Sequence, residues 1–217
     1  MLPTQEAALY VGVDVGIKHD CSAVVAVRYE RDRLVLALHR IWRPTPKDPL
    51  NIEATVEAFL RGLHARYRVQ RIDVDPYQMA RSIETLKRDG LRICEFPQTP
   101  ASTTQVGQTL FEQLNGRTLR LYPAQDLRAQ ALNTVAVESS RGWRIAKEKT
   151  SKKIDAIVAL SMACTAAIES PPRQSGGVVM VIPRRTSLPE ELLRRRGPHM
   201  VQNPRGEWEY FRDPRYN

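Results

Sequence analysis

A chain of 217 residues is long enough for one α/β domain with a sizeable core and cramped for two. Its 33 Lys and Arg against 24 Asp and Glu give a formal charge of +9 and a pI of about 9.8, which favours a polyanionic partner such as nucleic acid or an acidic membrane surface. Three features argue against a membrane span, a disulfide or zinc framework, and secretion. The longest apolar run, residues 156–168, is too short to cross a bilayer and starts beside Lys152, Lys153 and Asp155. Cys21, Cys94 and Cys164 are odd in number and form no Cys-x-x-Cys pair, and residues 1–8 lack a basic start followed by an apolar stretch. A cytoplasmic protein with core thiols is expected.

Residues 9–16 are rich in valine and alternate poorly, as in a strand buried on both faces, and 21–29 and 34–42 read as two further strands of an antiparallel meander. Ile52, Val56, Phe59, Leu60, Leu63 and Tyr67 then recur at helical spacing behind Asn51, a suitable N-cap. A strand over 69–75, a helix over 78–88 stopped by Asp89 and Gly90, and a short strand over 91–96 make a βαβ unit. There follow a helix over 103–114 ended by Asn115 and Gly116, a short strand over 118–122, a helix over 124–134, and a hairpin over 135–147 turning near 139–142. Residues 152–168, capped by Ser151, form an almost wholly apolar and therefore buried helix. Beyond Ser170 the character changes: Pro171 and Pro172, Gly176 and Gly177, and the run Arg194 to Arg196 interrupt one strand over 178–182 and one helix over 189–195. The chain is expected to divide into a domain over 1–170 and a basic, partly packed C-terminal extension over 171–217.

Asp14 is the sharpest signal. A charged residue inside a buried strand is costly unless it is paired or holds a metal, although an ordinary Asp-x-Gly turn after Val13 is an alternative. Asp75 ends the strand laid down after the first helix, and Pro76 stops that strand; alone, it reads as a turn residue before proline. If the two strands lie parallel and adjacent, Asp14 and Asp75 become neighbours at their carboxyl ends, where α/β sheets form sites. Two bare carboxylates about 4 Å apart repel by about 4 kcal/mol at an effective dielectric near 20, so the pair needs a cation or a shared proton. Asp155 lies in the first turn of the apolar helix, where an acid also stabilises the helix dipole. Together the three carboxylates could hold two Mg²⁺ or Mn²⁺ ions, activate a water and stabilise the leaving oxygen of a phosphodiester.

Three blocks here resemble the nuclease domain of the large subunit of phage and herpesvirus-type DNA-packaging terminases. They are Val11-Gly-Val-Asp14-Val-Gly16 with Asp20-Cys-Ser-Ala23, Ile72-Asp-Val-Asp75-Pro-Tyr-Gln78 with Gly90 and Phe96-Pro-Gln-Thr99, and Lys153-Ile-Asp155-Ala-Ile-Val-Ala-Leu-Ser-Met-Ala163, over about residues 9–168. The resemblance implies an RNase H-like α/β fold, a mixed sheet in which a three-strand antiparallel meander is followed by parallel strands and flanked by helices. It maps Asp14, Asp75 and Asp155 onto the three catalytic, metal-binding acids of a two-ion Mg²⁺ or Mn²⁺ site. Asp20 matches an additional acidic position in some members, a further candidate metal ligand, and reads equally as a turn residue; Asp73 has no firm counterpart. The implied activity is endonucleolytic cutting of double-stranded, concatemeric viral DNA during genome packaging, in the cytoplasm of an infected host cell. Implied partners are double-stranded DNA, an ATPase motor domain or subunit, the portal and the small terminase subunit. No Gly-x-x-x-x-Gly-Lys-Ser/Thr loop is present, so the motor is expected elsewhere, with this chain either an excised C-terminal domain or a separately encoded nuclease.

Arg141, Arg144, Lys147, Lys149, Lys152 and Lys153 gather in the hairpin and the approach to Asp155, suited to phosphate contacts beside the metals or simply to a solvated basic loop. Trp143 could stack on DNA or pack the hairpin onto the core, and His19 is a loop histidine beside Asp20. Three other readings compete. An actin or sugar-kinase type ATP-binding domain would need a second glycine-rich phosphate loop, for which Ser175-Gly-Gly177 is a poor candidate; the others are a junction resolvase or transposase type nuclease and a DNA-binding module without catalysis.

Overall fold

A computed structural model of the chain describes residues 7–17, 20–139, 142–149, 151–171, 199–202 and 208–211. The expected meander is present: β1 (Ala8–Asp14), β2 (Ser22–Glu30) and β3 (Arg33–Trp42) pair antiparallel in sequence. The chain crosses through α1 (Ala58–Arg66) and returns as β4 (Arg68–Val74), parallel to β1. After α2 (Ala80–Arg88), β5 (Ile93–Glu95) pairs parallel with β4. Through α3 (Pro100–Asn115) the chain reaches β6 (Leu119–Arg120), parallel to β3 at the opposite edge. The six-stranded order β5-β4-β1-β2-β3-β6 places β1 inside the sheet, with the carboxyl end of β4 at its side.

Each face of the sheet is covered by helices. On one, Leu9, Val11 and Val13 meet Val56, Leu60 and Leu63 around α1 and Ile83 and Leu86 of α2. On the other, Tyr10, Ala23, Val25 and Val27 meet Ala156, Ala159, Leu160 and Ala163 of α5 (Asp155–Glu169). The apolar run thus becomes a buried helix because a sheet face awaits it. Its small residues permit an unusually close approach: a Cβ on Gly12 would stand 2.0 Å from the carbonyl oxygen of Ala159 and 2.8 Å from the amide nitrogen of Ala163. Glycine at position 12 is required by the helix above it, not by its own backbone angles.

After β6, α4 (Gln125–Leu132) packs against α5 and precedes a separate hairpin of β7 (Thr134–Ser139) and β8 (Gly142–Lys147). The hairpin docks on α3 through Gly107, whose missing side chain lets the backbone of Trp143 and Arg144 come within 3 Å of where a Cβ would be. Trp143 stacks on Phe111 of α3 at 5.6 Å, so its packing role is realised. A second antiparallel pair, β9 (His199–Gln202) and β10 (Trp208–Phe211), is described near the C-terminus.

Several expected boundaries move, each for a local reason. The first helix begins as a π-helical turn, Glu53–Glu57, before α1, with the Asn51 Oδ1 accepting the Ala54 N–H at 3.0 Å as a cap should. α3 starts at Pro100 rather than 103, because Thr99 caps it through the Ser102 N–H and Pro100 occupies the first helical position. α5 starts at Asp155 rather than 152, and Ser151 does not cap it. Its free Ala156 N–H is taken at 2.7 Å by Gln130 Oε1 from α4, a tertiary cap that local sequence does not announce. The strand over 178–182, the helix over 189–195 and the Ser175 to Gly177 turn lie outside the described residues.

Candidate active site

The sequence of β1 delivers Asp14 to its last position, and the parallel register Gly12↔Asp73, Val13↔Val74 brings Asp75 alongside Asp14 one residue further on. Adjacent strands lie about 4.8 Å apart, so the two carboxylates are neighbours by construction. The N-terminus of α5 points over the same end of the sheet and brings Asp155. All three acids line one open cavity of about 760 Å³, together with Asp20, Gln98 and Lys147. Arg144 reaches the same cavity from β8.

The electrostatics follow from this crowding. Asp14 still touches the cavity but is densely enclosed, and its pKa is pushed up to about 7, first by burial, then by the charge of Asp155 and, more weakly, of Asp75. Gln98 works against the rise by donating from Nε2 to Asp14 Oδ1 at 3.1 Å. Burial also raises Asp155, against the pull of its own backbone N–H, and its Oδ2 is buried with no hydrogen-bond partner. Asp75 is raised by burial and partly relieved by the Tyr77 N–H, which it accepts at 3.0 Å. A buried carboxylate oxygen without a donor, beside a second carboxyl that holds its proton to neutrality, is a site short of positive charge. That donor set, oxygen only, suits a hard divalent cation. The acids do not already surround a common centre: among the described residues, no group of three or more His, Cys, Asp or Glu is arranged to hold an ion.

The other candidates separate clearly. Asp20 pairs with Lys147 and Lys153, both Nζ atoms lying 2.9 Å from its Oδ1, and these bonds lower its pKa. Burial alone would lower the pKa of Lys147, but Asp20, with Asp155 and Asp14 behind it, raises it. Arg144 lines the cavity and is exposed, Lys149 and Lys152 are exposed on the approach to α5, and Arg141 and His19 lie outside the described residues. Asp73, on the same strand face as Asp75, is fully buried and locked by Arg71 through Nε at 2.5 Å and Nη2 at 3.0 Å, with Arg71 also reaching Glu169. It is a structural acid. The sequence marks Gln98 only as a member of the Phe96-Pro-Gln-Thr99 block, without a role, and does not mark Gln130; both roles depend on where their loops and helices land.

This mixed sheet with its covering helices is the RNase H-like fold, and the large-terminase nucleases are among the proteins that share it. The HK97 bacteriophage large terminase matches with a TM-score of 0.65 at 18% identity, over 77% of this chain and 41% of its own. The large terminase nuclease of thermophilic phage G20c matches at 0.60 and 14% identity, over 73% of this chain and 82% of its own. The Thermus phage P74-26 large terminase nuclease domain matches at 0.58 and 12%, over 79% and 84%. The chain therefore spans about two fifths of the HK97 protein and most of the isolated nuclease domains. Structures of the G20c nuclease carry bound magnesium and bound cobalt. No protein-family model matches the chain, and no curated protein does.

Proposed function

We propose that this chain is a metal-dependent endodeoxyribonuclease of the large-terminase type, cutting double-stranded viral DNA during genome packaging. The observation that carries the reading is the convergence of Asp14, Asp75 and Asp155 from two parallel strand ends and a helix N-terminus onto one cavity, with Asp14 raised to about 7 and Asp155 Oδ2 unpartnered. These three acids would hold two Mg²⁺ or Mn²⁺ ions, which supply activation of a water and stabilisation of the leaving oxygen of a phosphodiester when bound. Gln98 orients the Asp14 carboxylate, and the Tyr77 N–H fixes that of Asp75. Arg144, Lys147, Lys149, Lys152 and Lys153 neutralise backbone phosphates around the cavity. Residues 1–170 form the nuclease domain, 171–217 a basic extension, and the ATPase motor, portal and small subunit are partners in the packaging machine.

A second reading, a DNA-binding module whose acids are structural, draws on the absence of a ready-made metal cluster among the described residues. One assay separates the two. The chain should convert supercoiled plasmid to nicked and linear forms with Mn²⁺ or Mg²⁺ and stop on chelation, and Asp14→Asn, Asp75→Asn and Asp155→Asn should each abolish cutting while DNA binding persists. Cutting that survives a chelator would remove the metal mechanism, and full activity in any one variant would eject that residue from the site.

A further inference from the structure

Asp20 sits at the mouth of the acidic cavity, yet its visible work is to hold two lysines. Lys147 from the end of β8 and Lys153 from the approach to α5 both donate to the same oxygen, Oδ1, at 2.9 Å. The three side chains are partly open to solvent, with relative exposures of 45%, 30% and 34%, so an incoming anion can reach them. The acid is also placed independently of the lysines. The Ser22 hydroxyl accepts the Gly16 N–H at 3.1 Å and donates to the Gly16 carbonyl at 2.9 Å, and a Cβ on Gly16 would meet Asp20 backbone atoms within 2.8 Å. Gly16, Asp20 and Ser22 therefore lie packed against one another, which positions Asp20 without help from the lysines. One carboxylate between two ammonium groups leaves a local charge of about +1, in the geometry that a phosphodiester oxygen would require.

We infer that Lys147 and Lys153 form a single site for one DNA phosphate beside the acid cluster, and that Asp20 is its built-in placeholder, displaced from the lysines when DNA binds. The inference rests on the proposed DNA-cutting role and assigns Asp20 a task other than metal ligation. In free protein Asp20 keeps both lysines gathered at the edge of the acid cluster, where the charges of Asp155 and Asp14 also reach Lys147. On binding, a phosphate takes the lysines, and Asp20 becomes a like charge a few ångströms from it. The placeholder thus weakens DNA binding and makes release of cut ends easier.

The test is binding of a fluorescent-labelled duplex to the full chain in the presence of a chelator, across a salt series, for wild type, Asp20→Asn, and Lys147→Ala with Lys153→Ala. Removing one like charge about 5 Å from a phosphate should tighten binding about 4- to 20-fold at low salt. The salt slope should steepen, because the variant presents one more net positive charge to the same phosphates. The double lysine variant should bind more weakly and respond little to an added Asp20→Asn change. Mn²⁺ titration without DNA should give Asp20→Asn an affinity within a few-fold of wild type, the effect of one lost neighbouring charge, against a far larger loss in Asp14→Asn. Unchanged or weaker DNA binding by a folded Asp20→Asn protein, with wild type binding normally, would overturn the placeholder and leave the nuclease reading standing. A loss of Mn²⁺ affinity in Asp20→Asn as large as that in Asp14→Asn would overturn it too, making Asp20 a metal ligand. No duplex binding by any form would take down both.

Discussion

At the scale of the residue, Asp14 shows how a site can be read from its discomfort. Its carboxyl is held near 7 by burial and by Asp155, against 3.8 in an unfolded chain, so the folded protein keeps a proton that the unfolded one has lost. Stability from this group is therefore undiminished below about pH 4, falls as pH rises toward 7, and stays reduced above it. Asp14→Asn removes the charge without changing the shape. In chelator, the variant should match wild type near pH 4 and exceed it by about 1–3 kcal/mol at pH 8, read by urea denaturation at each pH. Parallel curves across that range would mean that Asp14 is not strained as its surroundings indicate. Asp73 is a useful comparison: two residues from Asp75 and fully buried, its carboxyl is also raised by burial, to about 6, but a bidentate Arg71 works against the rise and occupies both its oxygens.

At the scale of the element, the decisive contact is α5 on β1. Asp155 reaches the site only because Ala159 and Ala163 lie almost on the backbone of Gly12. Gly12→Ala would force the helix away, since the clash is with backbone atoms that no rotamer change relieves; a loss of about 3 kcal/mol or more is expected, with cleavage reduced as Asp155 retreats. Gly62, inside α1 and with nothing within 4 Å of where a Cβ would stand, provides the opposite case. Gly62→Ala should stabilise the protein by about 0.5–1 kcal/mol through helix propensity alone and leave cleavage intact. Thermal melts of the two variants check the pair, and a stable Gly12→Ala protein would show that the helix can shift at little cost.

At the scale of the molecule, the fold holds like charges together and metal should reward it for doing so. An ion that binds only the folded chain adds about 2.7 kcal/mol at a hundred times its dissociation constant. For a domain of this size that is a rise in melting temperature of about 5–10 °C. Mn²⁺ should give wild type such a rise, and Asp155→Asn much less, because the unpartnered Oδ2 is gone. Equal shifts in both would place the ion elsewhere. Without metal, Asp155→Asn should melt no lower than wild type, whereas a role confined to the helix dipole predicts a loss of about 0.3–1 kcal/mol.

Much of this protein is legible in its sequence. The valine-rich first strand, the change from period 2 to helical period at Asn51, and the apolar helix at the end of the domain follow from side-chain burial, which local sequence records directly. Asp14 stands out for the same reason, as a charge where the pattern demands an apolar residue. What neighbours in sequence cannot record is which segments meet. The parallel register that seats Asp75 beside Asp14, the Gln130 side-chain carbonyl that caps α5 and the Gln98 amide on Asp14 join residues 26 to 84 positions apart. The same holds for Asp20: its sequence block reads as a metal ligand or a turn, and only the packing of β8 and the α5 approach against that turn reveals the two lysines it holds. Burial and periodicity are local properties of a chain, whereas partners for a buried charge are chosen by topology.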